Sequence, residues 1–296
     1  MKATIRLLVT STLMAVALLF GGCAPKAPPA ATGTVSSADQ VAIKYQTAGN
    51  GALALVFVHC WTCNRSYWDK QADYFAGRYQ VVRLDLAGHG ESGHERKDYR
   101  IDAFSDDVVA VVEKLGLKQV ILIGHSMGGP VSVEAAKRLG DRVIGVVGVD
   151  TFYTAFQIPK DPEKAKQMVN GFMKPFEENY PDASAKFMRS FFAPGADPAL
   201  VQRIANTTST ADKAMALSAM RHVFGWVQAN TPATLDALGA KLRNINADPK
   251  GDGKPLHTGV TLVAGAGHFV PQEKPAEFNQ ALEVVVTELV AVGARK

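Results

Sequence analysis

Four short apolar runs mark the first half of the chain: Leu53–His59, Tyr79–Asp85, Gln119–His125 and Val143–Asp150. Each has strand length and lacks polar alternation, which predicts parallel strands covered on both faces. Between them apolar residues recur at helical spacing. The stretch IDAFSDDVVAVVEKLG ends on Gly116, a C-cap signal, and GGPVSVEAAKRLG carries Pro130 in its first turn. This alternation predicts an α/β fold with a doubly wound, mostly parallel sheet. After Asp150 the pattern changes. From residue 154 to 238 the chain reads as a series of Met- and Phe-rich helices with no strand. Strand-like Leu242–Asp248 and Thr258–Gly267 follow, then a closing helix over KPAEFNQALEVVVTELVAV. The prediction is a core over residues 41–153 and 239–296, interrupted by a helical cap over 154–238 that far exceeds ordinary loop lengths. The cap's Met and Phe side chains suit helix packing and the wall of an apolar pocket equally well.

The N-terminus changes the expected setting. Lys2 and Arg6 precede an apolar run, Leu7–Phe20, that is short for a membrane span. Gly21 and Gly22 then lead into Cys23. The order resembles a bacterial lipobox, with Phe20 where leucine is usual; an ordinary secretory signal with a chance cysteine is the plainer alternative. On the lipobox reading residues 1–22 are a signal peptide and Cys23 is lipidated. Residues 23–40, rich in Ala, Pro, Ser and Thr, are then a flexible tether. The expected location is a bacterial membrane, with the alanine after Cys23 favouring the periplasmic face of the outer membrane. The composition, 47% hydrophobic and 20% charged, is globular. The net charge of +4 falls by two without Lys2 and Arg6, and no basic run points to nucleic acid.

The chemistry-bearing motif is Gly124-His125-Ser126-Met127-Gly128, a G-x-S-x-G. Its context gives it weight: Ile121–Ile123 form a strand just before it and a helix pattern follows at once. Small residues two before and two after the serine allow a sharp strand–helix turn that lifts the hydroxyl above the sheet, at the helix N-terminus. A serine needs a base to take its proton. His268, between the last strand and the closing helix in GAGHFVPQEKP, is placed for that role. The other histidines are less well placed. His59 ends a strand and is expected to hold its loop, His89 and His94 sit in a Gly-rich turn, and His125 is expected to point away from the serine. His222 lies in the cap and His257 precedes the final strand.

With VFVHCW, VVRLDLAGHGESG, IGHSMGG and GAGHFVPQEKP in hand, the chain resembles the α/β-hydrolases over about residues 41–296. That resemblance implies a Ser-acid-His triad in this order, an α/β-hydrolase fold with cap, and no cofactor or metal. Two positions for the acid are known in the family. In the commoner one, after the penultimate strand, Asp248 falls too early, Lys250 replaces the expected Asp and Asp252 falls too late. The other is the tip of the strand after the nucleophile helix, where Asp150 stands. Asp150 is favoured, with Asp248 the alternative and a helix N-cap or hinge the plainer role for Asp150. The resemblance also implies an oxyanion hole from the main-chain N–H groups of Met127 and Trp61. Family members usually carry glycine where this chain has Cys60. If that glycine's freedom is needed, Cys60 carries some strain or the loop is shifted. Asp85 and the loop 87–93 match a turn that shapes the sheet edge, so Ser92 is no rival nucleophile.

Cys60 and Cys63 also form a C-x-x-C pair. A thioredoxin-like role needs such a pair at a helix start in a small domain, c-type haem needs His where Asn64 stands, and zinc needs a second ligand pair. A local disulfide or two packed thiols remain, and an exported protein meets oxidising conditions. The function expected is hydrolysis of a small-molecule carboxylic ester or related acyl bond. A non-catalytic ligand-binding protein or receptor on the same fold is the alternative. The oligomeric state is left open.

Overall fold

The computed structural model describes residues 30–152, 158–230, 233–248 and 259–294. Eight strands form one sheet: β1 (Ala31–Ser36), β2 (Ala42–Ala48), β3 (Ala54–Val58), β4 (Gln80–Leu84), β5 (Val120–His125), β6 (Val143–Val149), β7 (Leu242–Ala247) and β8 (Val260–Val263). Their spatial order is β1-β2-β4-β3-β5-β6-β7-β8. Strands β3 to β8 run parallel, while β2 pairs antiparallel with β4 and β1 antiparallel with β2. The expected doubly wound, mostly parallel sheet is present.

Sequence alternation explains the two layers. Val56 and Val58 of β3 and Leu122 of β5 enter one core, with α2 (Ile101–Lys114) and α3 (Gly128–Leu139). Leu55 and Phe57, with Ile121 and Ile123, enter the other, against α1 (Asp69–Phe75) and α10 (Pro275–Gly293). Both faces are thus covered, which is why these strands read as unbroken apolar runs. Their burial puts the C-terminal ends of β3, β5 and β6 side by side, where loops can carry chemistry on a rigid support.

Two features differ from expectation. Residues 31–36, assigned to the tether, form the edge strand β1, and β2 beside it was not foreseen. An edge strand has one neighbour and largely open faces, so ATGTVS has no apolar alternation to reveal it; only Val35 packs on the core. The hairpin is tied down by polar groups instead. Ser37 Oγ donates to the buried Asp107 carboxylate at 2.6 Å, and the buried Arg96 bridges Asp107 and Asp39 at 2.7 Å each. The expected signal segment, including Cys23, lies outside the described residues, as do His257, Lys250 and Asp252.

Between β6 and β7, among the described residues, stand five α-helices: α4 (Pro162–Glu178), α5 (Tyr180–Arg189), α6 (Pro198–Ser209), α7 (Lys213–Asn230) and α8 (Ala233–Leu238). The start of α4 shows why it forms there: Pro162 opens it and Asp161 caps it, accepting from the Lys164 N–H at 2.9 Å. Phe172, Phe176 and Phe187 lock α4 onto α5, with ring centroids 5.4 Å apart in each pair. The Met and Phe residues divide between both expected roles: Met173 and Met215 are buried packing, while Met188, Phe191 and Met220 line a cavity. Among the described residues no helix is long and apolar enough to cross a membrane.

Candidate active site

β5 ends in His125 and α3 begins at Gly128, so Ser126 and Met127 make the whole turn. The glycines are there because the backbones close up. A Cβ on Gly124 would overlap the Gly128 carbonyl, and one on Gly128 would press on the Val58 carbonyl. Ser126 itself takes φ of +52°. Left-handed backbone is uncommon for non-glycine residues and costs roughly 1–2 kcal/mol. Five non-glycine residues have positive φ among the described residues; three of them, Thr62, Ser126 and Asp150, belong to this site and a fourth, Phe152, lines its cavity. Such a concentration marks a place where geometry is held against local preference.

Asp150 follows the last residue of β6, at φ of +44°. Its N–H donates to the Ile245 carbonyl at 3.0 Å, its Oδ1 accepts from the Ala247 N–H at 3.0 Å, and its Oδ2 lies 2.5 Å from His268 Nδ1. A carboxylate so placed accepts, so Nδ1 carries the ring proton and Nε2 is left as acceptor. Asp248, the alternative acid, is exposed at the end of β7; its N–H donates to the Val263 carbonyl at 3.3 Å. The structure therefore joins His268 to Asp150 and not to Asp248. Ser126, Asp150 and His268 line one cavity together.

The loop after β3 brings Trp61 to the same cavity, which Met127 of the β5–α3 turn also lines. Cys60 and Cys63 are joined by a disulfide, with Cα atoms 5.2 Å apart. The left-handed residue of this loop is Thr62, φ of +57°, and not Cys60, so of the two expectations for Cys60, strain or a shifted loop, the strain is not at Cys60. Two buried histidines hold the loop. His59 Nε2 accepts from the Leu86 N–H at 3.0 Å and its Nδ1–H donates to the Cys60 carbonyl at 2.8 Å. His89 Nε2 accepts from the Thr62 N–H at 3.2 Å and its Nδ1–H donates to the Ala87 carbonyl at 3.0 Å. Beside them, fully buried Asp85 accepts from the N–H groups of Arg65 (2.6 Å) and Glu91 (2.9 Å) and from the Arg65 guanidinium. Ser92 Oγ, buried, donates to the Asp85 carbonyl at 2.6 Å and accepts from Lys44 at 2.9 Å, which fits a structural role. His222 is on the outside of α7, paired with Asp98 at 2.6 Å.

Sequence reading missed how the His268 loop is held. His125 does not simply point away. Its buried Nε2–H donates to the His268 carbonyl at 2.8 Å, and its ring lies 4.8 Å from the His268 ring. The His268 N–H donates to the Phe191 carbonyl at 2.7 Å. Glu273, in the short helix α9 (Val270–Glu273), accepts from Gly267 (3.1 Å), Phe269 (3.2 Å) and Ala193 (3.1 Å). One carboxylate thus staples both neighbours of His268 and the α5–α6 connection. The amide of Glu273→Gln offers one acceptor oxygen in place of two. We expect that variant to lower kcat about tenfold on any substrate and to lose about 1–3 kcal/mol of stability, as for hydrogen bonds to a charged group. Unchanged kcat and melting temperature would remove Glu273 from the site.

Burial pushes His59 down to about 4, and His89 and His125 down to about 3. Each is neutral in the fold, with one ring nitrogen protonated as described. In the unfolded chain they titrate near pH 6.5. Between about pH 6.5 and 4 the unfolded chain therefore binds more protons than the folded one. Their contribution is fully present above about 6.5 and is lost as pH falls toward the folded values. The expected slope is about 1.4 kcal/mol per pH unit for each histidine. Urea unfolding at a series of pH values from 7.5 to about 5 measures it; a flat free energy over that range contradicts the assignment.

The cavity measures about 530 Å³. Phe172, Phe187, Phe191, Val223, Phe224 and Val227 are among its apolar lining, and Asn246 and Thr151 are polar additions with Asp150. Among the described residues no cluster of three His, Cys, Asp or Glu side chains is grouped to hold a metal ion.

A family profile described as alpha/beta hydrolase fold matches residues 54–240. Among curated relatives, the chain is 38% identical over 94 residues to 3-oxoadipate enol-lactonase 2 of Acinetobacter baylyi, covering 31% of this chain and 35% of that protein. It is 30% identical over 171 residues to a non-heme haloperoxidase of Rhodococcus erythropolis, covering 55% of this chain and 62% of that protein. These matches span less than two thirds of either relative. Among solved structures, bromoperoxidase from Bacillus anthracis superposes with a TM-score of 0.74 at 21% identity, over 87% of this chain and all of that one.

Proposed function

This chain belongs to the alpha/beta hydrolase fold family, and on that premise we propose that it is a serine hydrolase cleaving a carboxylic ester or related acyl bond. The observation that carries the reading is the His268–Asp150 hydrogen bond beside a left-handed Ser126 at the floor of an apolar cavity. His268, its Nδ1–H given to Asp150, takes the Ser126 proton at Nε2. The Ser126 oxygen attacks the substrate carbonyl. The Trp61 and Met127 N–H groups receive the oxyanion; among the described residues neither is hydrogen-bonded to another protein group. His268 then protonates the leaving group, and water, with His268 again as base, releases the acid from Ser126.

The walls narrow the substrate. Apart from Asp150 and His268, the described cavity lining carries no ionisable side chain, so a charged acyl or alcohol group would be desolvated without a partner. Neutral, largely apolar substrates of medium size fit a cavity of this volume. The enol-lactonase relative acts by name on a cyclic ester, which supports including lactones.

Two measurements test the proposal. A fluorophosphonate probe is expected to label wild type at Ser126, and a panel of p-nitrophenyl esters and lactones is expected to be turned over, with neutral acyl groups preferred over carboxylated ones. No labelling together with no turnover would leave a ligand-binding protein on this fold as the better reading.

A further inference from the structure

We propose that the Cys60–Cys63 disulfide is a positioning element of the acyl-transfer site, holding the Trp61 N–H on the oxyanion. This rests on the serine-hydrolase reading above. The bridge spans the two residues on either side of the Trp61–Thr62 peptide, and Cys60 itself lines the cavity with Ser126 and His268.

The hydrogen bonds of this loop set the Trp61 N–H apart from the two that follow it. The Cys60 carbonyl accepts from Cys63 N–H at 3.1 Å and from His59. The Trp61 carbonyl accepts from Thr62 Oγ1 at 2.7 Å, and Thr62 N–H is given to His89. Of the N–H groups at positions 61, 62 and 63, only that of Trp61 has no protein partner among the described residues. The Trp61 side chain is anchored away from the site: its Nε1–H donates to the Ala216 carbonyl of α7 at 2.8 Å, and its ring meets Phe176 and Phe187 edge-on. Thr62 Oγ1 also reaches Thr208 Oγ1 of α6 at 3.0 Å. Two side chains thus tie the loop to the helical insertion, while Cys60 and Trp61 line the cavity with Ser126. Thr62 sits in the left-handed region, which a β-branched residue leaves when it is free to. A covalent cross-link from Cys60 to Cys63 blocks that relaxation. Over so short a loop it removes less denatured-state entropy than a long bridge would, so its main effect is local geometry.

Reduction by a dithiol such as dithiothreitol breaks the S–S bond, delivers two electrons and two protons, and leaves two cysteine thiols and the oxidised, cyclic reagent. The two buried thiols cannot stay at bonding distance, and the peptide between them has to shift. The test uses the full chain in three forms: oxidised wild type, wild type reduced by dithiothreitol with Cys60 and Cys63 shown to be alkylatable by mass spectrometry, and Cys63→Ser. Turnover of p-nitrophenyl butyrate is divided by the serine titrated with a fluorophosphonate, so that loss of fold lowers the titre and not the rate per site. Removing an oxyanion donor outright costs about 10²–10³ in kcat; a displaced donor is expected to cost about tenfold. We expect kcat per reactive serine to fall about tenfold on reduction with KM within about twofold, and to return on reoxidation. Cys63→Ser should match the reduced enzyme and ignore the dithiol. If the bridge resists reduction the variant decides, and if the variant does not fold the reduced wild type decides. Wild-type kcat per reactive serine in either reduced enzyme or folded Cys63→Ser overturns the proposal alone. Inactive, unlabelled oxidised enzyme overturns the hydrolase reading and the proposal with it.

Discussion

Ser126→Ala is expected to lower kcat/KM toward esters by about 10⁶, equivalent to about 8 kcal/mol of transition-state stabilisation. The argument is geometric. Ser126, just before the N-terminus of α3, lines one cavity with Met127, Trp61 and His268. On the proposed mechanism, without its hydroxyl no acyl-enzyme forms, and only the amide donors remain to act on a bound ester, which leaves residual catalysis over water. The substitution keeps the Cβ, so the left-handed backbone at φ of +52° is neither created nor relieved. Stability should therefore stay within about 0.5 kcal/mol of wild type, as for a change that opens no cavity. His268→Ala should be nearly as damaging, and the double variant no worse than either, because the two act as a unit. Kinetics on the three variants, with thermal melts alongside, make the check. A Ser126→Ala enzyme within tenfold of wild type would place the nucleophile elsewhere.

How much of this was legible in the chain depends on the range of the contacts. The elbow was readable because its tightest approach is between neighbours in sequence: a Cβ on Gly124 would overlap the Gly128 carbonyl, while the Val58 carbonyl that crowds Gly128 comes from the adjacent strand. His268 was readable from its place after the last strand. The choice between Asp150 and Asp248 was only half readable, because it depends on which strand tip faces the His268 ring, and that follows from β6 lying beside β7. The staples on the His268 loop were not readable at all. Glu273 reaches Ala193, eighty residues away, and His125 reaches the His268 carbonyl across 143. No periodicity or spacing encodes such pairs. The same holds for the loop after β3. A missing glycine at Cys60 suggested strain there, but the histidine and disulfide contacts move the left-handed residue to Thr62. Strand β1 escaped for the opposite reason: an edge strand buries too little to leave a hydrophobic pattern.

Asp150→Asn is the substitution that separates the two acids, and its effect follows from which oxygen does what. Oδ1 accepts from the Ala247 N–H at 3.0 Å, and Oδ2 faces His268 Nδ1 at 2.5 Å. An asparagine in that position keeps its carbonyl oxygen on Ala247, since only an acceptor satisfies that N–H. Its NH₂ group is then turned to His268 Nδ1, which must become the acceptor. The ring proton moves to Nε2, and Nε2 can no longer take the Ser126 proton. The expected loss in kcat is about 10⁴, the size seen when a triad base is held in the wrong tautomer. KM should change little, because the apolar walls from α4, α5 and α7 are untouched. Asp248→Asn, at an exposed strand end, should stay within about twofold of wild type, as surface substitutions away from a site do. Steady-state kinetics on both variants decide the matter. A large loss in Asp248→Asn with Asp150→Asn near wild type would move the acid to Asp248 and require the His268 loop to turn toward β7's far end. Equal, small losses in both would mean that His268 works without a carboxylate partner, and the hydrogen bond to Asp150 would then serve the fold alone.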